Sequence, residues 1–218
     1  MKAKRIAVAL AGCGNKDGTE ITEAVSLIVG LSRLGVRVDF FAPDRTFEAR
    51  NFLNDTNIGT RNMMIEAARI TRSNMMDLNN LNPTDYDALA FPGGFGAALH
   101  LSDWARKGSA CEVMPAVKKP ILAFNEQQKP IAAICIAPVL LAKVLGGRKV
   151  TVTIGNDKET IGEILKTGAQ HQICPVDEVL VDRTCKVITT PAYMYGSAKP
   201  HEVFIGIEKL AKELAEMA

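Results

Sequence analysis

The sequence has little of several features that would identify a function at once. It contains only three histidines among its 218 residues, and its 26 basic and 24 acidic residues nearly cancel. Basic runs interleaved with aromatic residues do not occur, so we expect no nucleic-acid partner. No stretch approaches the roughly 18 apolar residues that a membrane-spanning helix needs, so we expect no membrane partner either.

The cysteines are odd in number and scattered, and no two of them form a C-x-x-C pair. They are Cys13, Cys111, Cys135, Cys174 and Cys185. This pattern predicts neither a disulfide framework nor a metal site, and it is typical of a reducing compartment. The first five residues lead directly into a strand-like segment without a signal or transit pattern. We therefore expect a cytoplasmic location.

Strand-like and helix-like segments alternate along the chain, and 47% apolar residues can build a sizeable core. The alternation predicts an α/β fold with a mainly parallel sheet, in one doubly wound domain that spans residues 1–218. Segment 44–81 is the least regular part. Strands are predicted at 6–10, 36–42, 88–91, 131–134 and 150–154, with a hairpin over 179–190; helices are predicted at 20–34, 61–72, 111–119, 120–128, 137–145, 159–166 and 201–218.

Several unusual sequence features fall at the carboxyl ends of predicted strands, where such folds bind ligands. They are the glycine-rich loop 12–18, Pro92-Gly93-Gly94, Cys135 and the region after Ile154. The loop glycines have the spacing G-x-G-x-x-x-G, one residue longer than the dinucleotide fingerprint. The loop therefore predicts a tight turn better than it predicts a nucleotide site.

Cys135 lies where the predicted strand 131–134 meets the helix 137–145. A cysteine at such a junction sits on a sharp turn, and the partial positive charge of the helix N-terminus favours its thiolate. Pro138 suits the first turn of that helix, because its missing N–H is not needed there. Plain packing of a buried cysteine is the alternative. The position makes Cys135 the leading candidate for a nucleophile.

Two carboxylates near the start of the first helix are candidates for proton transfer. Glu23 shares a helical row with Leu27 and faces the apolar side, where burial would raise its pKa and suit it to exchange a proton. Glu20 is more simply interpreted as compensating the helix dipole. No histidine is adjacent to Cys135 in the sequence, and the sequence does not place His171 near the sulfur. A hydrolytic Cys–His pair is therefore not predicted.

With these residues in hand, the chain resembles the PfpI-type, class I glutamine amidotransferase-like superfamily. It shares a carboxylate early in the first helix, Pro-Gly-Gly after an inner strand, and A-x-C at a strand-to-helix turn. The similarity is closest to one branch, the ElbB-like glyoxalases, also labelled enhancing lycopene biosynthesis proteins. The branch-like stretches are 12–14 with 17–18, 61–62, 66–70, 91–98, 135–138, 174–177 and 189–194.

The resemblance implies a flavodoxin-like fold, a homodimer and a cofactor-independent glyoxalase that converts glyoxal and related 2-oxoaldehydes to 2-hydroxy acids. Peptidase activity is disfavoured because Ile136 stands where the protease-like members have histidine. Amidotransferase activity is disfavoured because no H-x-E pair occurs late in the chain. Two alternatives stay open: a redox-responsive or partner-binding protein that uses the same cysteine, and a thiol hydrolase or amidotransferase relative.

The resemblance also implies roles for individual residues. Cys135 matches the nucleophile, and Glu23 matches the carboxyl group that contacts the thiol. The backbone N–H groups of Gly94 and Ile136 match the donors of the oxyanion hole. Further candidates are Glu20, Gly93 and His171.

Overall fold

A seven-stranded sheet forms the centre of the protein, which a computed structural model describes over residues 3–218. In chain order the strands are β1 (Arg5–Ala9), β2 (Arg37–Ala42), β3 (Thr46–Arg50), β4 (Asn57–Asn62), β5 (Met76–Asp77), β6 (Ala88–Phe91), β7 (Ile131–Ile134), β8 (Thr151–Val152), β9 (Gln170–His171), β10 (Leu180–Asp182) and β11 (Val187–Thr190). The sheet order is β10-β11-β7-β6-β1-β2-β5. Neighbouring strands are parallel, except that β10 runs antiparallel to β11.

Helices cover both faces of this sheet. They are α1 (Ile21–Arg33), α2 (Met63–Thr71), α3 (Phe95–Leu99), α4 (Trp104–Lys107), α5 (Pro115–Glu126), α6 (Pro138–Leu145), α7 (Lys158–Lys166) and α8 (Pro200–Met217). Apolar residues of α1 and α8 pack in one core cluster, those of α5 and α6 pack in the other, and α2 contributes to both. The strands β6, β7 and β11 are buried on both faces, and β6 and β7 are accordingly short apolar runs. The predicted α/β fold with a mainly parallel sheet is confirmed.

No helix within residues 3–218 is long and apolar enough to span a membrane.

The segment predicted as irregular contains a two-stranded antiparallel hairpin, β3 with β4. In β3 only Phe47 and Ala49 are buried, and β4 has no buried residue, so the hairpin gives a weak apolar pattern. The helix expected from residue 61 begins at Met63 instead. Its start is set by Asn62, whose side chain caps the helix by accepting the N–H of Ile65 at 3.0 Å.

Two other predicted boundaries are wrong. Segments 111–119 and 120–128 were expected as separate helices, but α5 continues through Pro120. Burial of its apolar face, including Ile121 and Phe124, outweighs the hydrogen bond that proline cannot donate. The strand expected over 150–154 is confined to β8, because the N–H of Thr153 donates to the side-chain oxygen of Thr189 at 2.9 Å and not to a backbone carbonyl of a paired strand.

Helices α1 and α8 touch so closely that a glycine is needed between them. A Cβ atom at Gly30 would lie 2.9 Å from the Cβ of Ala211, whereas one at Gly162 in α7 would meet no atom within 4 Å. We expect Gly30→Ala to lower the free energy of unfolding by about 1–3 kcal/mol through overpacking. The matched control Gly162→Ala should raise it by about 0.5–1 kcal/mol. Urea denaturation measures both, and equal effects would contradict the packing described.

Candidate active site

Cys135 occupies the turn between β7 and α6 and adopts an unusual backbone conformation. Its φ angle is +61°, in the left-handed region that non-glycine residues rarely adopt. The turn is held by the N–H of Cys135, which donates to the carbonyl of Thr190 on β11 at 2.9 Å. The side chain is 8% exposed, so the sulfur has limited access to solvent. The sequence-based expectation of a strand-to-helix turn at Cys135 agrees with this geometry.

The side chain of Glu23 lies against this cysteine. Glu23 is in the first turn of α1 and is 0% exposed. One carboxyl oxygen, Oε2, accepts the N–H of Gly93 at 3.0 Å, and the other, Oε1, faces the N–H of Tyr193 at 3.4 Å. The carboxyl group also lies beside the thiol of Cys135, close enough for each group to shift the pKa of the other. The structure thus brings together the two residues that sequence analysis paired.

The two acidic groups share one buried environment, and this decides their protonation. Burial, and after it the charge of Glu20, raise the pKa of Glu23 from 4.5 to about 8 against the opposing hydrogen bonds. Burial and the neighbouring carboxylate likewise raise the pKa of the Cys135 thiol. Two adjacent negative charges are unfavourable here, so the pair titrates as a unit and retains a proton at neutral pH.

Backbone N–H groups offer the sulfur a way to carry negative charge. Those of Gly94 and Ile136 lie near the sulfur of Cys135 and act to lower the pKa of its thiol. A proton held on Glu23 removes the like charge beside the sulfur and leaves these donors in place. The arrangement can therefore hold a thiolate next to a protonated carboxyl group.

Glycine is required at both positions of the Gly93-Gly94 pair. A Cβ at Gly93 would lie 2.5 Å from both the Cβ of Cys135 and Oε2 of Glu23. Gly94 has a φ of +92°, and a Cβ there would collide with the backbone of Gly18 and Glu20. The close approach of this loop is what directs its N–H groups into the site.

Glu20 and His171 have other roles in the fold. Glu20 is the N-cap of α1: its Oε2 accepts the N–H of Glu23 at 2.6 Å, and its side chain lines the cleft beside Cys135. His171 lies on β9, where its Nε2 faces the N–H of Ile154 at 3.2 Å. No histidine of residues 3–218 hydrogen-bonds to the sulfur. A Cys–His pair is not formed.

A cleft of about 1010 Å³ opens beside Cys135. Two parts of its lining were not predicted from the sequence. One is Tyr193, and the other is an outer wall formed by Trp104 and Arg106 of α4 and Glu159 of α7. Tyr193 could have been found, since it follows a parallel strand within the branch-like stretch 189–194. No sequence pattern indicated the outer wall.

Residues 3–218 contain no cluster of three or more His, Cys, Asp or Glu side chains suited to a metal ion.

The raised pKa of Glu23 predicts a specific pH dependence of stability. The folded protein binds this proton more tightly than the unfolded chain, because the pKa rises from 4.5 to about 8 on folding. The stabilisation is complete below pH 4.5 and is lost as the pH rises to about 8, with a slope of up to about 1.4 kcal/mol per pH unit. Urea unfolding of wild type and Glu23→Gln across this range isolates the effect, since groups remote from Glu23 titrate equally in both. A stability difference that stays constant with pH would contradict the raised pKa.

Known proteins with similar sequence and structure agree with this fold. The DJ-1/PfpI family model matches residues 4–194. A human protein, glutamine amidotransferase-like class 1 domain-containing protein 3, mitochondrial, is 41% identical over 227 residues, covering 99% of this chain and 84% of the human protein. The rat ES1 protein homolog, mitochondrial, is 40% identical over 228 residues, covering 98% and 84%.

Among solved structures, an isoprenoid biosynthesis protein with an amidotransferase-like domain from Ehrlichia chaffeensis superimposes with a TM-score of 0.92 at 32% identity, covering 99% of both chains.

These relatives correct the expectation of a cytoplasmic location, because the human and rat proteins are both named as mitochondrial. Unpaired cysteines fit any reducing compartment and do not discriminate among them. The match over residues 4–194 and the shared architecture establish the relationship: the chain belongs to the DJ-1/PfpI family and has its glutamine amidotransferase-like fold.

Proposed function

We propose that this protein is a glutathione-independent glyoxalase-type lyase of the ElbB-like branch, which converts glyoxal and related 2-oxoaldehydes to 2-hydroxy acids. One observation carries the proposal: the fully buried carboxyl group of Glu23 lies against the Cys135 thiol and has a pKa of about 8. A nucleophile and a proton carrier are thus in contact, and the reaction needs no other reactive group from the protein. The isoprenoid biosynthesis label of the Ehrlichia chaffeensis protein supports the branch assignment.

The first step joins the cysteine to the substrate. The Cys135 thiolate attacks one aldehyde carbon and forms a C–S bond, while the carbonyl electrons move to oxygen. That oxygen takes the proton from Glu23, which leaves a neutral hemithioacetal and a carboxylate. The N–H groups of Gly94 and Ile136 would bind the oxygen while it is negative, a kind of interaction worth about 3 kcal/mol per donor.

The second step moves hydrogen between the two carbons. The Glu23 carboxylate removes the hydrogen on the sulfur-bearing carbon as a proton, and the electron pair moves toward the adjacent carbonyl to form an enediolate. The former carbonyl oxygen takes the hydroxyl proton of the sulfur-bearing carbon, Glu23 returns its proton to the neighbouring carbon, and the sulfur-bearing carbon becomes a thioester. Water adds to the thioester and gives one proton to the Glu23 carboxylate, and the C–S bond breaks, which releases the 2-hydroxy acid and the Cys135 thiolate. One carbon is oxidised while its neighbour is reduced, so no external oxidant is required.

A redox-responsive role for the same cysteine is the second candidate. Cys135 is 8% exposed, and the protonated Glu23 beside it could donate a hydrogen bond to an oxidised sulfur. Peroxide would oxidise the thiolate to a sulfenic acid while being reduced to water. Cys174, which is similarly buried but has no carboxyl partner in hydrogen-bond contact, provides an internal comparison.

Glyoxal turnover without added thiol tests the glyoxalase proposal. Cys135→Ala should remove glycolate formation, and Glu23→Gln should lower kcat by about 10²–10⁴-fold because general acid–base transfer is lost. The control Cys111→Ala changes a buried cysteine that does not line the cleft, and it should retain wild-type turnover. The proposal fails if Cys135→Ala or Glu23→Gln turns over glyoxal as fast as the wild type.

Mass spectrometry after mild peroxide treatment separates the two candidates. If the redox role is correct, Cys135 should be oxidised well before Cys174, and wild-type protein should not form glycolate from glyoxal. If glycolate forms and depends on both Cys135 and Glu23, the lyase is supported. Equal oxidation of Cys135 and Cys174 would contradict the redox role.

A further inference from the structure

A second cleft, of about 550 Å³, lies beside the Cys135 cleft and takes no part in the proposed chemistry. The hairpin β3–β4 forms one wall, and residues that follow α3 or belong to α4 form the other. Its lining includes His100 and three arginines, which are Arg45, Arg50 and Arg106. Arg106 also lines the Cys135 cleft, so the two clefts share a wall.

The carboxylates that line this second cleft already have partners within the chain. Asp17 accepts the backbone N–H of Arg50 at 2.7 Å. Asp55 pairs with Lys16 at 2.8 Å. Glu48 accepts hydrogen bonds from two side chains of β4 at 2.5 and 3.1 Å. These acids are therefore committed to holding the hairpin and the glycine loop in place.

Arg45 and Arg106 have no such partner. Neither guanidinium forms an ion pair with a carboxylate of residues 3–218. Both approach the imidazole of His100 closely enough for their positive charges to lower its pKa. Two unpaired cations that line one cleft repel each other, and an anion bound near both would replace that repulsion with attraction.

The imidazole of His100, which lines the same cleft, is neutral and fixed. Its Nε2 lies 3.1 Å from the carbonyl oxygen of Asp17, which can only accept, so Nε2 carries the hydrogen. Partial burial and then the charge of Arg45 lower the pKa of His100 to about 4. The ring of Phe47 packs against it with centroids 5.2 Å apart. His100 thus forms an uncharged floor, and the positive charge comes from the arginines.

We propose that Arg45 and Arg106 bind the oxyanion group, a phosphate or a carboxylate, of a small molecule in this second cleft. Guanidinium groups match both oxyanions because their planar N–H donors can bond two oxygens at once. A volume of about 550 Å³ is in the range of small-molecule sites. The site depends on these arginines alone and is independent of the glyoxalase proposal.

The test titrates inorganic phosphate and glycolate separately into the full-length protein at low ionic strength. Calorimetry measures binding, and proton NMR of His100, recognised by its depressed pKa, reports occupancy of this cleft. We expect at least one anion to bind saturably and to raise the pKa of His100, because it offsets the charges of Arg45 and Arg106. Arg45→Gln and Arg106→Gln should each weaken binding by about tenfold or more.

The matched control is Arg72→Gln, which changes an exposed arginine outside both clefts and should leave binding unchanged. If only phosphate binds saturably and raises the pKa of His100, the ligand carries a phosphate group. If only glycolate does so, the ligand carries a carboxylate group. The proposal is overturned if neither anion binds saturably, or if Arg72→Gln weakens binding as much as Arg45→Gln does. No aldehyde is present in this experiment, so its outcome does not depend on catalysis at Cys135.

Discussion

The structure around the cleft depends on the burial of two acidic groups in contact with each other. Because Glu23 and Cys135 are buried side by side, both cannot ionise at once. The proton that the pair retains gives the site its chemistry. The surrounding elements serve this contact. The start of α1 positions the carboxyl group, the turn after β7 positions the sulfur, and the loop at Gly93 closes over both.

Much of the fold and the centre of the site follow from local patterns in the sequence. The strands β6 and β7 are continuous apolar runs, and Cys135 directly follows one of them, so the strand-to-helix turn was predictable. Glu23 was predictable because it shares a helical row with Leu27, which is fully buried. In each case a short stretch of sequence contains the determining physical constraint.

Other features depend on contacts between distant parts of the chain, and local patterns could not reveal them. Pro120 normally ends a helix, yet burial of α5 on the sheet keeps that helix continuous. Tyr193 could be singled out by its place after a parallel strand, but its contact with Glu23 is made by the backbone N–H, to which the side-chain type gives no clue. Arg106 of α4 lines the same cleft as residues from distant parts of the chain, such as Glu159 and Tyr193. Each of these features is set by tertiary packing and not by the local secondary-structure propensity of the sequence.

The absence of room at Gly93 has a consequence for how this protein can evolve. A single methyl group there would strike the nucleophile and the carboxyl group together, so no substitution at this position can adjust one without displacing the other. Changes in specificity are therefore confined to the rim of the cleft, where side chains such as Arg106 and Glu159 are exposed to solvent. Divergence within this fold can alter what enters the site far more readily than it can alter the reacting pair.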